Sequence, residues 1–231
     1  MKREHPDVVA PPGALPELPA PAETIVELLS PLVTPQRLAR MQSVLARRSR
    51  ALVPVLEDLA DPHNGAAVLR SADAFGCQTV HAIEARHELL VSHRVSRGTH
   101  RWIEIVRHKS ADSAYAHLKA QGYRVYIAAM DGDVTPEDLC TVPRAAVVFG
   151  NEHSGASAAA RAIADGTYAI PMVGFVESLN VSVASAITLY AASRGRSGDL
   201  SEAERAEALA RYLMESVRDA ERIVRDRSAT T

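Results

Sequence analysis

The sequence predicts an α/β fold: a mostly parallel sheet with helices on both faces, flanked by short N- and C-terminal helical extensions. Three observations predict it. Short apolar runs alternate with helical segments of about ten residues, the order that parallel strands and crossover helices produce. Of 231 residues, 47% are hydrophobic but only 4% aromatic, so one sizeable core must be built from Ala, Val, Leu and Ile. The apolar run 145–149 feeds a glycine loop and then a helix, a common cradle at the carboxyl edge of such a sheet.

The elements follow in order. Residues 1–22 are proline-rich over 10–22 and are expected to be a flexible tail. An N-terminal extension, 23–50, carries helices over 23–32 and 35–50; Leu38, Met41, Val44 and Leu45 recur at helical spacing. The main domain spans 51–195. It opens with a strand over 52–59, and Asp61-Pro62-His63-Asn64 then turns the chain. Asn64 is expected to cap a helix over 65–75 that Gly76 ends. Further strands are expected over 79–83, 103–106, 124–129, 145–149 and 167–170. Between and after them lie a loop over 86–102 and helices over 110–121, 156–164 and 181–194. A C-terminal extension, 196–231, carries one helix from a Ser201 cap to about residue 227.

Charge and composition bound the function. The net charge is −2, but residues 34–51 hold Arg37, Arg40, Arg47, Arg48 and Arg50 with no acid. Residues 86–109 hold six Lys/Arg against two acids, with four histidines. Phosphate binding requires local rather than total positive charge, although a solvated basic helix face has the same pattern. No apolar run approaches the ~20 residues of a membrane span. Cys77 and Cys140 lack any metal or redox spacing and are expected to be buried thiols of a cytoplasmic protein. The histidines form no HxxxH pair, and no metal site is expected.

Three segments carry candidate chemistry. In the first, Arg70 lies six residues beyond Asn64 on a helix face otherwise built from Ala66, Val68, Leu69 and Ala72. Such an arginine either snorkels outward or is aimed into a site. The second is Gly150-Asn151-Glu152-His153-Ser154-Gly155, which matches neither the P-loop nor the dinucleotide fingerprint. Glu152 suits a cation, a hydroxyl or an arginine. The third runs from Ile170 through Pro171, Met172 and Gly174 to Ser178, Leu179 and Asn180, before a small-residue helix. On its own this third segment equally describes a capped βα turn.

In this order and spacing the segments resemble the three motifs of the knotted SPOUT-class RNA 2′-O-methyltransferases. The tRNA (guanosine-18) 2′-O-methyltransferase family is the most similar. The resemblance spans roughly two thirds of the chain, over 35–194. It implies a C-terminal trefoil knot and S-adenosylmethionine as cofactor. It implies that Arg70 is catalytic, with Asn64, Glu152, Ser178 and Asn180 supporting it. It places Gly150, Asn151, Gly155, Ile170, Met172, Ser178, Leu179 and Asn180 around the cofactor. It also implies a two-fold homodimer and a tRNA partner. Arg37, Arg40, Arg47, Arg48, Arg97, His100 and Arg101 are the expected RNA contacts. Trp102, beside them, either belongs to that cluster or packs against the sheet. The proline-rich leader and the chain after Gly198 depart from the family pattern.

The implied reaction is displacement at a sulfonium methyl by a ribose 2′-oxygen, which needs no metal because the sulfonium already activates the carbon. A guanidinium pKa above about 12 makes Arg70 a better holder of phosphate and oxyanion charge than a base. Asn64 and Glu152 are expected to orient it. Ribosomal RNA, another tRNA position, or a non-catalytic RNA-binding module on the same fold are the alternatives. A nicotinamide oxidoreductase is disfavoured by the missing fingerprint.

Overall fold

The computed structural model describes residues 15–86, 88–89 and 98–228. Six strands form one parallel sheet: β1 (Leu52–Glu57), β2 (Thr79–Ile83), β3 (Glu104–His108), β4 (Arg124–Ala128), β5 (Ala145–Phe149) and β6 (Gly166–Tyr168). Their spatial order is β3-β2-β1-β5-β4-β6. Every residue of β1, β2 and β5 is buried, as strands covered on both faces require. Pro54 has no N–H to donate. The ladder from β1 to β2 begins just beyond it, pairing Val55 with His81.

Among the described residues eight helices accompany the sheet: α1 (Ala22–Leu29), α2 (Pro35–Leu45), α3 (Pro62–Ala74), α4 (Ala111–Ala120), α5 (Ala158–Ile163), α6 (Val181–Ser193), α7 (Glu202–Ser216) and α8 (Ala220–Ser228). Alternation along the strands divides the core. Leu52 and Leu56 of β1 pack with Val68, Leu69 and Ala72 of α3 and with Leu189 and Ala192 of α6. Val53 and Val55 face the other way, onto Ala114, Tyr115 and Leu118 of α4 and Ala160 of α5. A third cluster joins both ends of the chain: Ile25, Leu29, Met41 and Leu45 pack with Leu209, Leu213 and Val224. The two extensions therefore share one core.

Several boundaries differ from expectation. Asp61, not Asn64, caps α3: its carboxylate accepts the His63 N–H at 2.8 Å, and Pro62 takes the first helical position. The helix α2 stops at Leu45, because Ser49 bridges to Cys77 and Arg48 turns inward. The expected single C-terminal helix breaks between α7 and α8, where Asp219 adopts φ 56°. A 3-10 turn, Asp138–Thr141, was not anticipated. Cys77 is buried, but Cys140 is only half-buried. Trp102 packs edge-on against Tyr212, at 5.1 Å between ring centroids, in the helical cluster rather than against the sheet.

Buried imidazoles on β2 and β3 give this core a pH limit. His81 Nδ1 lies 3.0 Å from His108 Nε2, and the His117 ring of α4 stands 5.7 and 5.5 Å from the two rings. Burial, with the neighbouring imidazoles adding to it, holds His81 at about 3 and His108 at about 4, against 6.5 ordinarily. The unfolded chain therefore binds protons that the folded chain refuses. This contribution to stability is complete above pH 6.5 and is lost as pH falls toward the folded values. Scanning calorimetry is expected to show Tm falling steadily from about pH 6.5 to about pH 4. The double substitution His81→Leu/His108→Leu should flatten that part of the profile.

Candidate active site at the carboxyl edge of the sheet

Parallel strands deliver all their carboxyl ends to one edge, and the three motifs emerge there. The glycine loop after β5 folds back on itself. Asn151 and Gly155 exchange N–H···O bonds of 3.1 and 2.9 Å. Gly155 takes φ 67°, which favours glycine. A Cβ on Gly150 would lie 2.3 Å from Ala156 N, so the turn closes only around glycine.

Asn151 and Glu152 fasten this loop to the segment that follows β1. Asn151 Nδ2 donates to Asp58 O at 2.8 Å. Its Oδ1 accepts from the N–H groups of His153 and Ser154 at 3.0 and 3.1 Å. The Glu152 carboxylate accepts from Ala60 N–H (3.1 Å), Asp61 N–H (3.2 Å) and Asn64 Nδ2 (3.0 Å). Burial opposes its ionisation, but the bonds from Asn64 and from these amides outweigh it and hold the carboxyl below its usual range. Glu152 is thus a fixed anionic acceptor at neutral pH and not a proton donor.

Arg70 stands apart from this buckle. Six residues along α3 place it about 9 Å beyond Asn64. Its side chain is exposed and, among the described residues, has no hydrogen bond or ion pair. Asn64 and Glu152, expected to orient Arg70, bond to each other and to the β1–α3 loop and make no direct bond to the guanidinium.

The third motif leaves β6 as an exposed loop. Among the described residues, the backbone of 170–179 makes no backbone hydrogen bond. Ile170 and Leu179 are half-buried, Met172 and Ser178 are exposed, and Val173 and Phe175 stand fully in solvent. Asn180 caps α6, its Oδ1 accepting from Ser182 N–H at 2.8 Å. Its carboxamide thus holds the helix start. A run of unpaired amides and carbonyls beside apolar side chains fits a ligand with a heteroaromatic base and an amino-acid end. The Asn151 carboxamide fits that group less well than expected, because the loop already uses it.

Of the expected RNA contacts, Arg48 is corrected. It is 1% exposed. It pairs with Asp73 and donates to the carbonyls of Cys77 (2.8 Å) and Trp102 (3.3 Å). Arg37, Arg40, Arg47 and Arg101 are exposed. Arg37 lies over the Trp102 ring at 5.7 Å. Arg101 faces Glu215 at 3.6 Å. Arg97 lies outside the described residues, and His100 falls in the 3-10 turn Thr99–Trp102. Sequence reasoning missed Asp58, whose carbonyl anchors Asn151. An acid directly after an apolar strand was its only signal.

The sequence model of the SpoU rRNA Methylase family matches residues 51–190. The chain belongs to this family. As a SpoU methylase it is 38% identical to the tRNA (guanosine(18)-2′-O)-methyltransferase of Thermus thermophilus, over 71% of this chain and 84% of that one. It is 36% identical to the Escherichia coli K12 protein of the same name, over 71% and 72%. The Aquifex aeolicus TrmH/SpoU tRNA modifying enzyme superposes with a TM-score of 0.71 at 29% identity, covering 80% of this chain and 98% of that one. The SpoU methyltransferase AviRb of Streptomyces viridochromogenes, solved in complex with AdoMet, gives 0.58 at 26% identity, over 66% and 63%.

The buckle and Arg70 make opposite predictions for stability. Glu152→Gln removes a charged acceptor from three donors and should lower Tm by about 2–6 °C. Arg70→Ala removes an exposed side chain without partners and should leave Tm within about 1 °C. Calorimetry showing equal losses in the two variants would place Arg70 inside the structural network after all.

Proposed function

We propose that this SpoU methylase transfers the methyl group of S-adenosylmethionine to a ribose 2′-hydroxyl of tRNA, at guanosine 18, in the cytoplasm. Two observations carry the proposal: the Arg70 guanidinium is exposed and has no partner among the described residues, and the third-motif loop leaves its backbone unpaired. The names of the relatives supply the tRNA position.

S-adenosylmethionine, when bound, supplies an electrophilic methyl carbon. Residues 150–155 and 170–180 would hold it, through backbone groups and through Ile170, Met172 and Leu179. The protein's own work is to place and polarise the ribose. Arg70 presents donors to a phosphate and to the oxygen on which negative charge grows. Glu152 and Asn64 hold the β1–α3 loop and so fix where α3, and Arg70 with it, begins. Ser178 is exposed, has no hydrogen bond among the described residues, and can meet the ribose or the cofactor.

The proposal includes the trefoil knot. Its support is the path after β6: α6 returns across the sheet and packs against the turn Asp138–Thr141, where Arg196 clasps it. It also includes a two-fold homodimer. Val183, Ile187 and Tyr190 form an exposed apolar stripe on α6, at intervals of four and three residues, beside the exposed Val173, Phe175 and Val176 of the motif loop. Arg37, Arg40, Arg47 and Arg101 would meet tRNA phosphates.

Radiolabelled methyl transfer to unmodified tRNA tests the activity. Wild-type protein should label the transcript. Arg70→Ala should lose at least about a hundredfold in kcat/KM, the scale of losing one transition-state donor. A tRNA with 2′-deoxyguanosine at position 18 should accept no label. Label on ribosomal RNA alone would move the substrate to the class in the family's description. For the assembly, sedimentation should give a dimer for the wild type and a monomer for Ile187→Glu/Tyr190→Glu. An unchanged dimer would place the interface elsewhere.

A further inference from the structure

A charged surface that this function leaves unused lies on the same edge of the sheet, on the β2–β3 side of β1. Two acids are buried there, just past strand ends. Asp58 follows β1, and its N–H donates to Ile83 O at 2.9 Å. Glu84 follows β2, and its N–H donates to His108 O at 2.8 Å. Asp58 accepts from Arg86, from the backbone N–H at 2.7 Å and from Nε at 3.3 Å. Glu84 pairs with Arg107, faces Lys109 Nζ at 3.5 Å, and accepts the Leu89 N–H at 3.0 Å.

The burial is one-sided. The Asp58 and Glu84 side chains are 7% and 3% exposed, whereas those of Arg86, Arg107 and Lys109 are 61%, 47% and 62% exposed. Each acid sits below the surface and steers a cation whose head stands in water. Two buried acids thus hold three cation heads in water, with Glu88 exposed two residues beyond Arg86. Exposed pairs of this kind add little to stability, but a cation held in place gives up less side-chain entropy when it meets an anion.

Position gives the row a direction. Arg86 Nη2 lies 3.5 Å from Ser154 Oγ, so one end touches the glycine loop of the site. Glu84 shares strand parity with Val80 and Ala82, and Arg107 with Ile105, which pack on the α3 side of the sheet. Glu84 and Arg107 therefore lie on the face of the sheet that carries Arg70. With strands spaced at about 4.8 Å, the row extends roughly 10 Å from β1 to β3.

We propose that Arg86, Arg107 and Lys109 form a phosphate-binding row that grips the ribose-phosphate backbone of the RNA substrate where it leaves the site across β2 and β3. This rests on the RNA methyltransferase function proposed above. The partner is a polyanion whose charges repeat along a line, and the row offers cations along a line.

The test compares wild type, Arg107→Gln/Lys109→Gln, Lys109→Gln alone, and Arg124→Gln, a cation at the amino end of β4 that serves as control. KM for tRNA, KM for S-adenosylmethionine, kcat, and the salt dependence of tRNA binding are measured for each. The double variant should raise KM for tRNA about tenfold and leave the other two constants within twofold. Its log–log salt slope should flatten by about 1.4, since each single-strand contact contributes about 0.7. Lys109→Gln should flatten it by about 0.7 and serves as the readout if the double variant melts early. An unchanged slope and KM in the folded variants, or an equal change in Arg124→Gln, overturns the row while the activity stands. If the wild type methylates no RNA, the function fails instead. The salt slopes for binding of the same tRNA then decide the row alone.

Discussion

All six strands run parallel, and most of the molecule follows from that constraint. Parallel neighbours cannot be joined by tight hairpins, so each connection must cross a face of the sheet, and both faces become covered. The crossovers supply α3 on one side and α4 and α5 on the other, and α6, after the last strand, packs on the α3 side. The same constraint brings every strand's carboxyl end to one edge. Asp58, Glu84, Gly150 and the loop after β6 therefore share one edge, although they are scattered along the chain. The site is a consequence of strand direction before it is a consequence of particular side chains.

Two arginines close the structure around this sheet by the same physical means. Arg196 lies at the exit of α6 and donates to the carbonyls of Ala192, Leu139 and Val142 at 2.8, 2.8 and 2.7 Å. Those carbonyls belong to the last turn of α6, the 3-10 turn and its C-cap, where backbone acceptors lack helical partners. Burial lowers the pKa of Arg196 against the pull of nearby acidic groups, and the carbonyls replace the water that burial removes. Arg48 does the same between α2, the end of α3 and the Trp102 turn, with Asp73 as a counter-charge. One guanidinium in each place satisfies several stranded acceptors. A lysine's compact charge could not fork to reach them.

Within the site, structural and chemical work fall to different residues. Asn64, Asn151 and Glu152 spend their polar atoms on one another and on the loops, whereas among the described residues Arg70 and the 170–179 backbone spend none. A buried polar group that is fully bonded makes a rigid frame, and an exposed one without partners is available for binding. The apolar stripe on α6 follows directly on that open loop.

The local features were legible in the sequence because they depend on nearby residues. Strands β2 and β5 and the start of α6 fall at the expected residues. Ser110 and Ser201 cap their helices as short side-chain oxygens should. The three motifs, and through them the family, could also be read without coordinates. What the sequence could not decide was which polar group meets which. Asn64 had every local mark of a helix cap, yet Asp61 took that position, and the Asn64 amide found Glu152 on a loop 88 residues away. Arg48 sat in a basic run that looked like a solvated face, yet Asp73 and two distant carbonyls drew it into the interior. The break between α7 and α8 has no glycine or proline to announce it. Sequence determined the elements, because backbone propensity and capping act over a few residues. Tertiary structure alone decided the partners of the charged and amide side chains, because burial makes each unpaired polar atom costly and the nearest acceptor in space is seldom the nearest in the chain.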